Sequence, residues 1–182
     1  MAMAKNDQEE IFEKLMTANL ARVVDFVKFA EAKNAALLTF CSAWILASMN
    51  LLSSDKPAPL FVVSGLKLAL PFFAIAACMA IGSFIPRLST RGVLKSKLPG
   101  HNMLYFGDIA QTSIDSFQRE AKERYMPQGA SSITEKYIDD LSMQIVVNSR
   151  IAARKMQLFN YGAYTLLLAL FWVGAPAIGQ IL

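Results

Sequence analysis

The side chains best suited to hold an anion lie in the second half of the sequence. Residues 87–157 contain eleven of the eighteen Lys and Arg residues, against seven Asp and Glu residues. Arg150, Arg154 and Lys155 form a close group, and Arg87 directly follows an apolar block. Guanidinium and ammonium groups form strong charge-assisted hydrogen bonds to phosphate oxygens. The distribution of charge therefore indicates the orientation of the chain in a membrane and an anionic partner.

Amide side chains recur in the same stretch at helical spacing. Positions 137, 141, 144, 148, 151 and 155 lie close to one helix face. This face would bring Gln144 and Asn148 beside Leu141 and Lys155. An amide on a partly apolar face needs hydrogen-bond partners once it is buried. The pattern favours a polar groove over a solvated surface.

The sequence offers no set of residues from which a catalytic site could be built. Its single histidine, His101, has no Cys, His or carboxylate at the spacing of a metal site. It also contains no Gly-rich phosphate loop and no nucleophile elbow. We therefore predict a protein that is not an enzyme and that has no catalytic residue, no metal and no cofactor.

Three apolar blocks must position the polar residues. They run from about Asn34 to Leu52, Leu60 to Ile85 and Leu158 to Leu182. A helix needs roughly 20 apolar residues to cross a bilayer. With 54% hydrophobic and 18% charged residues, the chain is more apolar than an ordinary soluble domain. We predict an all-α membrane protein with about three transmembrane helices, whose cytoplasmic extensions form a helical bundle.

The predicted organisation has four parts. They are a cytoplasmic amphipathic helix, two transmembrane helices with a short outer turn, a cytoplasmic helical region and a third transmembrane helix, at residues 1–33, 34–86, 87–157 and 158–182. Lys and Arg flank the ends of the second and third spans that face residues 87–157. The positive-inside rule therefore places the N-terminus and residues 87–157 in the cytoplasm.

Local patterns predict where the helices begin and continue. Residues 8–34 are expected to form a helix that runs into the first span, because no Gly or Pro interrupts it. Residues 107–125 are expected to be helical. Ser132 or Thr134 is expected to begin a long helix that runs into the third span.

Small residues inside the apolar blocks predict close packing of helices. Cys41 and Cys78 are expected to face neighbouring helices as small apolar residues. Seven residues of the second block suit close helix contacts, either within one chain or between copies. They are Gly65, Ala69, Ala76, Ala77, Ala80, Gly82 and Ser83.

Three motifs keep a distinctive order relative to the spans. They are Glu31-Ala32-Lys33-Asn34-Ala35 before the first span, residues 102–109 after the Pro86-Arg87 stop, and residues 140–155 before the third span. In this order the chain resembles the transmembrane effector family of Pycsar antiphage systems, from Asn19 to the third span. We call the first motif, residues 31–35, the border motif because it adjoins the first span. It departs from the resemblance at one position, since the family carries Asp where this chain has Glu31.

The resemblance implies an antiphage effector. In that family a companion pyrimidine cyclase makes cyclic CMP or cyclic UMP on infection, and the effector binds this messenger and disrupts the inner membrane, causing abortive infection. For this chain it implies a multi-pass protein of the bacterial inner membrane. A pocket in so small a helical bundle is expected to be completed at a subunit interface, so we also predict a homo-oligomer. Its partners would be the cyclic pyrimidine nucleotide, the bilayer and, without a stable contact, the cyclase. Nucleic acid is not among them.

The resemblance also implies a ligand site. The cyclic phosphate would be held by one or more of Arg87, Arg150, Arg154 and Lys155. The base edge would be read by Asn102, Gln144 or Asn148, with Tyr105 or Phe106 stacked on the base. Asp108 or Glu31 would hold the ribose hydroxyl, and Lys33 belongs to the site through the border motif.

Two other classes of function are compatible with parts of the sequence. A structural or adaptor membrane protein without a small-molecule ligand would use the amide face as a protein interface. A membrane-bound enzyme is the other class, and the missing catalytic residues argue against it.

Overall fold

Four α-helices make up the described part of the chain. The structure is a computed structural model that describes residues 2–55, 58–85, 113–125 and 134–178. Helix α1 is Ala2–Leu52, α2 is Leu60–Phe84, α3 is Ile114–Tyr125 and α4 is Glu135–Ile178. The described residues contain no strand. The predicted all-α class is confirmed.

Helix α1 is unbroken from the charged N-terminal stretch through the first apolar block. Its 51 residues contain neither Gly nor Pro, so nothing in the sequence interrupts the backbone hydrogen bonds. The helix ends at Leu52, ahead of Ser53, Ser54 and Asp55. These are residues that favour turns because their side chains bond to nearby backbone. The predicted continuity of helix and span is confirmed.

Side-chain hydroxyl groups mark the starts of α3 and α4. The amide of Ser116 donates to Ser113 Oγ over 3.3 Å, and the amide of Tyr137 donates to Thr134 Oγ1 over 3.2 Å. Each hydroxyl satisfies one of the amides that a helix start leaves without a partner. Thr134 is therefore the N-cap that precedes α4, while Ser132 and residues 107–112 lie outside the described residues.

Three of these helices are long and apolar enough to cross a membrane. They are α1 over Glu9–Leu52, α2 over Leu60–Phe84 and α4 over Glu135–Pro176. Helix α4 also passes without a break from its polar first half into the third apolar block. The protein is therefore a helical membrane protein, as the apolar blocks predict.

The chain divides into two compact units, which we name by composition. The charged unit is Met1–Val27 and Arg87–Ala152, and the span unit is Lys28–Pro86 and Ala153–Leu182. Nothing in this division tests the predicted boundaries at residues 33, 86 and 157, which stay predictions.

Small side chains let the helices of the span unit approach closely. Leu37, Cys41, Phe73 and several alanines form its buried core. Phe73 is fully buried and stacks on Trp44, with ring centroids 5.6 Å apart. Alanines of α2 and α4 complete the core: Ala69, Ala76, Ala77, Ala80 and Ala169. The span unit is thus held by close packing of helices around one aromatic pair.

The small residues of α2 pack within the chain, with one exception. Six of the seven predicted positions are buried, and they are Gly65, Ala69, Ala76, Ala77, Ala80 and Ser83. Gly82 is only half-buried, and a Cβ atom there would meet nothing within 4 Å. Cys41 is buried as predicted, but the prediction for Cys78 is wrong because that side chain is exposed on α2.

Gly65 lies where α2 and α4 approach each other closely. A Cβ atom at this position would lie 2.7 Å from the Trp172 carbonyl oxygen and 3.0 Å from Pro176 Cγ. Neither atom can move easily, because one belongs to backbone and the other to a ring. Glycine is therefore required by the approach of the two helices.

We expect Gly65→Ala to destabilise the span unit. Overpacking of this kind costs about 1–3 kcal/mol, and each 1 kcal/mol lowers Tm by roughly 2–4 °C in a protein of this size. The measurement is thermal unfolding of the detergent-purified protein. Gly82→Ala is the matched control, because the added methyl group meets open space. Equal melting temperatures of the two variants would contradict the packing described for Gly65.

Candidate functional site

One lysine of α4 ties together three helices of the span unit. Lys155 Nζ donates to Glu31 Oε1 of α1 over 2.9 Å and to the Ser83 carbonyl oxygen of α2 over 2.9 Å. Its side chain is only 13% exposed, whereas that of Glu31 is 46% exposed. We call Glu31, Lys33, Asn34, Ser83 and Lys155 the lysine junction.

Lys155 also caps the C-terminal end of α2. The last carbonyl groups of a helix have no donor within the helix, and they carry the negative end of its dipole. Ser83 lies one residue before the end of α2 at Phe84, and the Phe84 ring centroid is 5.8 Å from Lys155 Nζ. The ammonium therefore compensates a helix end as well as a carboxylate.

A fully buried amide joins α1 to α4 beside this lysine. Asn34 Nδ2 donates to the Ala30 carbonyl oxygen over 2.8 Å and to the Lys155 carbonyl oxygen over 3.1 Å. Asn34 Oδ1 is buried without a hydrogen-bond partner among the described residues. A buried amide oxygen of this kind costs free energy until it receives a donor.

The second cation of the border motif rests on aromatic rings. Lys33 Nζ lies 4.6 Å from the Phe29 ring centroid and 5.1 Å from the Phe159 ring centroid. Both distances suit a cation–π contact. The two lysines of the lysine junction, Lys33 and Lys155, and its one glutamate, Glu31, have a net charge of +1. Such a set can take up an anion.

Two amides of the charged unit bond to each other along α4. Asn148 Nδ2 donates to the Gln144 carbonyl oxygen over 2.9 Å and to Gln144 Oε1 over 3.3 Å. Gln144 and Leu141 are buried, while Asn148 is half-buried. The predicted face is therefore covered around Gln144, although Ile151 is 37% exposed and its neighbour Ala152 is buried instead.

A buried aspartate joins α3 to α4 in the charged unit. Asp140 Oδ2 accepts from Arg124 Nη1 over 2.8 Å and from the Tyr125 hydroxyl over 2.6 Å. Thr134 Oγ1 donates to the Arg124 carbonyl oxygen over 2.6 Å, which ties the end of α3 to the start of α4. Burial and the neighbouring Asp140 carboxylate raise the pKa of Tyr125 above its ordinary value. We call Arg124, Tyr125 and Asp140 the aspartate junction.

The structure groups the predicted site residues unevenly. Glu31, Lys33 and Lys155 belong to the lysine junction, and Gln144 pairs with Asn148. Arg150 is exposed on α4. Four predicted residues lie outside the described residues: Arg87, Asn102, Phe106 and Asp108. No group of His, Cys, Asp or Glu that could hold a metal occurs in the described part of the chain.

Sequence reasoning missed three partners that the structure adds. Asn34 and the Ser83 carbonyl group complete the lysine junction, and Arg124 completes the aspartate junction. The position of Asn34 carried a signal, because it follows Ala30 by four residues and precedes the buried Leu37 by three. A carbonyl partner leaves no signal in the sequence, since every residue carries one.

Comparisons with known proteins agree on one family. The family model of the Pycsar effector protein domain matches residues 15–179. The Pycsar effector protein RsPycTM of a Rhizobium species is 39% identical over 163 residues, which cover 90% of this chain and 93% of the relative. No solved structure matches the chain. With a family model and a relative that both span most of its length, the chain belongs to the Pycsar effector family, whose role is antiviral defence.

Proposed function

We propose that this membrane effector binds cyclic CMP or cyclic UMP made by a partner pyrimidine cyclase. Binding then leads it to disrupt the inner membrane, which causes abortive infection. The protein acts without catalysis of its own, as a homo-oligomer. It meets the cyclase through the diffusible messenger and makes no stable contact with it. The proposal places the N-terminus and residues 87–157 in the cytoplasm, where the messenger is made.

The ion pair of Lys155 with Glu31 is the observation that carries the proposal. A cyclic phosphate carries one negative charge, and it can replace a carboxylate as the partner of an ammonium group. Glu31 is the exchangeable partner because its side chain is 46% exposed, whereas Lys155 is 13% exposed. A bound phosphate would therefore displace Glu31 and leave Lys155 in place.

Displacement of Glu31 would act directly on the spans. Glu31 lies on α1, Lys155 on α4 and the Ser83 carbonyl group at the end of α2, and all three helices are long and apolar enough to cross the membrane. A ligand that breaks one of the two bonds of Lys155 changes how these helices are held together. To change the active fraction from about 1% to about 99%, the ligand must bind the active arrangement roughly 10⁴-fold more tightly than the resting one.

The remaining contacts of the messenger are proposed from its chemistry. A pyrimidine presents paired donors and acceptors, which the amides of Asn102, Gln144 or Asn148 can match. Phe106 would stack on the base, Asp108 would accept from the ribose hydroxyl group, and Lys33, Arg87 and Arg150 would add positive charge around the phosphate.

Direct binding of nucleotides to the purified protein tests the function. We expect cyclic CMP or cyclic UMP to bind in a calorimetric titration and to raise the melting temperature, because a ligand of the folded state stabilises it by mass action. Cyclic AMP and cyclic GMP are the controls, since they carry the same cyclic phosphate on a purine. Equal binding of all four nucleotides would contradict recognition of a pyrimidine, and binding of none would contradict a cyclic-nucleotide effector.

A further inference from the structure

The outward faces of the three spanning helices carry large apolar side chains. Helix α1 exposes large apolar side chains such as Phe40 and Leu46, and α4 exposes Leu167, Leu168 and Phe171. Such surfaces suit the hydrocarbon of a bilayer. Helix α2 also exposes large apolar side chains, such as Leu68 and Ile75. Beside them runs a line of five exposed polar or small residues at alternating steps of three and four. They are Ser64, Lys67, Pro71, Ala74 and Cys78, which we call the α2 line.

The α2 line carries a charge inside a membrane-spanning helix. Lys67 lies seven residues after the start of α2 at Leu60, and its side chain is exposed. No hydrogen bond or ion pair of Lys67 occurs within the described residues. A charged side chain at membrane depth costs several kcal/mol unless it reaches water or a polar partner.

Pro71 leaves a backbone carbonyl group of the same turn without its usual helix donor. Proline lies inside α2 and has no amide hydrogen, so the Lys67 carbonyl group, four residues earlier, lacks its usual helix donor. Hydrocarbon cannot supply one, and such freed groups are satisfied by neighbouring helices or by water held in protein. Lys67 thus presents, in one turn, an ammonium group with no partner among the described residues and a carbonyl group without its usual helix donor.

The second proline inside a helix shows how the chain covers a freed carbonyl. Pro176 of α4 frees the Trp172 carbonyl group in the same way. Backbone of α2 packs directly on this oxygen, which lies 2.7 Å from the position that a Gly65 Cβ atom would take. The chain therefore covers the polar backbone at Pro176 by its own packing, and leaves that at Pro71 on an outward face.

We propose that the α2 line is the surface through which copies of this chain meet in the membrane. Copies inserted in the same orientation hold Lys67 at the same depth. The ammonium group of one copy can therefore donate to the freed carbonyl group at residue 67 of the next, and the small side chains at positions 74 and 78 let the two helices approach. The surface is complementary to itself, which is the requirement for association about a two-fold axis. The flanking Leu68 and Ile75, 49% and 46% exposed, supply an apolar border.

This inference rests on the proposed function in one respect: the proposed function includes a homo-oligomer, and the α2 line is the surface through which its copies would meet. It assigns that surface to residues that bind no nucleotide in the proposal, so each can fail alone. Absence of nucleotide binding in the titration would contradict the binding site and would not bear on the α2 line. Absence of a crosslink would contradict the α2 line and would not bear on the binding site.

Native Cys78 makes the surface testable by crosslinking in membranes. Cys78 is exposed, whereas Cys41 is buried. A short bifunctional maleimide, which alkylates one thiol at each end, should join two copies of the wild-type protein into a covalent dimer. It should do so also for Ala74→Cys in a Cys78→Ser background. The matched control is Leu168→Cys in that background, because this position is also exposed and lies on α4.

The reaction is run with and without cyclic CMP and cyclic UMP. Dimers from Cys78 and Ala74→Cys in either condition, without dimers from Leu168→Cys, support the proposal. No dimer in any condition, or equal dimer from Leu168→Cys, overturns it. Lys67→Leu should lower the yield at Cys78 about threefold or more for each hydrogen bond lost between membrane helices, and a two-fold dimer contains two such bonds. Lys67→Arg should preserve the yield, and an unchanged yield in Lys67→Leu would overturn the role of the lysine.

Discussion

Replacement of Lys155 by Met is expected to abolish membrane damage when the messenger is supplied, and to weaken messenger binding about tenfold or more. A charge-assisted hydrogen bond contributes roughly 1.5–3 kcal/mol, and 1.4 kcal/mol corresponds to a factor of about ten in Kd. The measurement pairs titration of the purified variant with dye entry into cells that produce the cyclic nucleotide. Lys14→Met is the control, because Lys14 also pairs with a glutamate but is 72% exposed.

Glu31→Gln separates messenger binding from a purely structural role of this ion pair. If the phosphate displaces Glu31, removal of its charge takes away a competitor, and the messenger should bind more tightly. A structural pair would instead lose stability in both variants without any gain in affinity. Weaker binding in Glu31→Gln would make Glu31 a contact of the ligand, and unchanged binding in Lys155→Met would place the phosphate elsewhere.

Asp140→Ala is expected to cause the largest loss of stability in the charged unit. It removes the shared acceptor of Arg124 and Tyr125, and the carboxylate is only 5% exposed while Arg124 is 22% exposed. Loss of one partner from a buried ion pair costs roughly 3–5 kcal/mol, because the other charge stays uncompensated. We expect a clear drop in melting temperature and faster cleavage by protease near α3.

The control for Asp140→Ala is an ion pair at the surface of the same two helices. Glu123 lies 3.9 Å from Lys136, with side chains 70% and 57% exposed. Exposed pairs contribute at most about 1 kcal/mol, so Glu123→Ala should leave the melting temperature almost unchanged. A similar loss in both variants would contradict the structural role of the aspartate junction.

The helices were predictable from sequence because their signals are local. Helix α1 contains no Gly or Pro to interrupt its backbone hydrogen bonds. Thr134 accepts a hydrogen bond from the amide of Tyr137, three residues later. Both signals involve only residues close in sequence. The site was only partly predictable. Glu31 and Lys155 are 124 residues apart, and periodicity assigns each to a helix face without naming its partner. The contact of Gly65 with the Trp172 carbonyl group depends likewise on how two helices approach.

The unbroken α1 restricts how its length can change during evolution. Its buried positions in the span unit are Ala30, Asn34, Leu37, Cys41 and Ser48, and from first to last they cover about five helical turns. One inserted residue would rotate everything after it by about 100°, turning Leu37 and Cys41 away from their neighbours. A loop would absorb such an insertion, but a continuous helix has no place to do so. Viable length changes in this segment are therefore those that restore the phase, such as insertions of about seven residues.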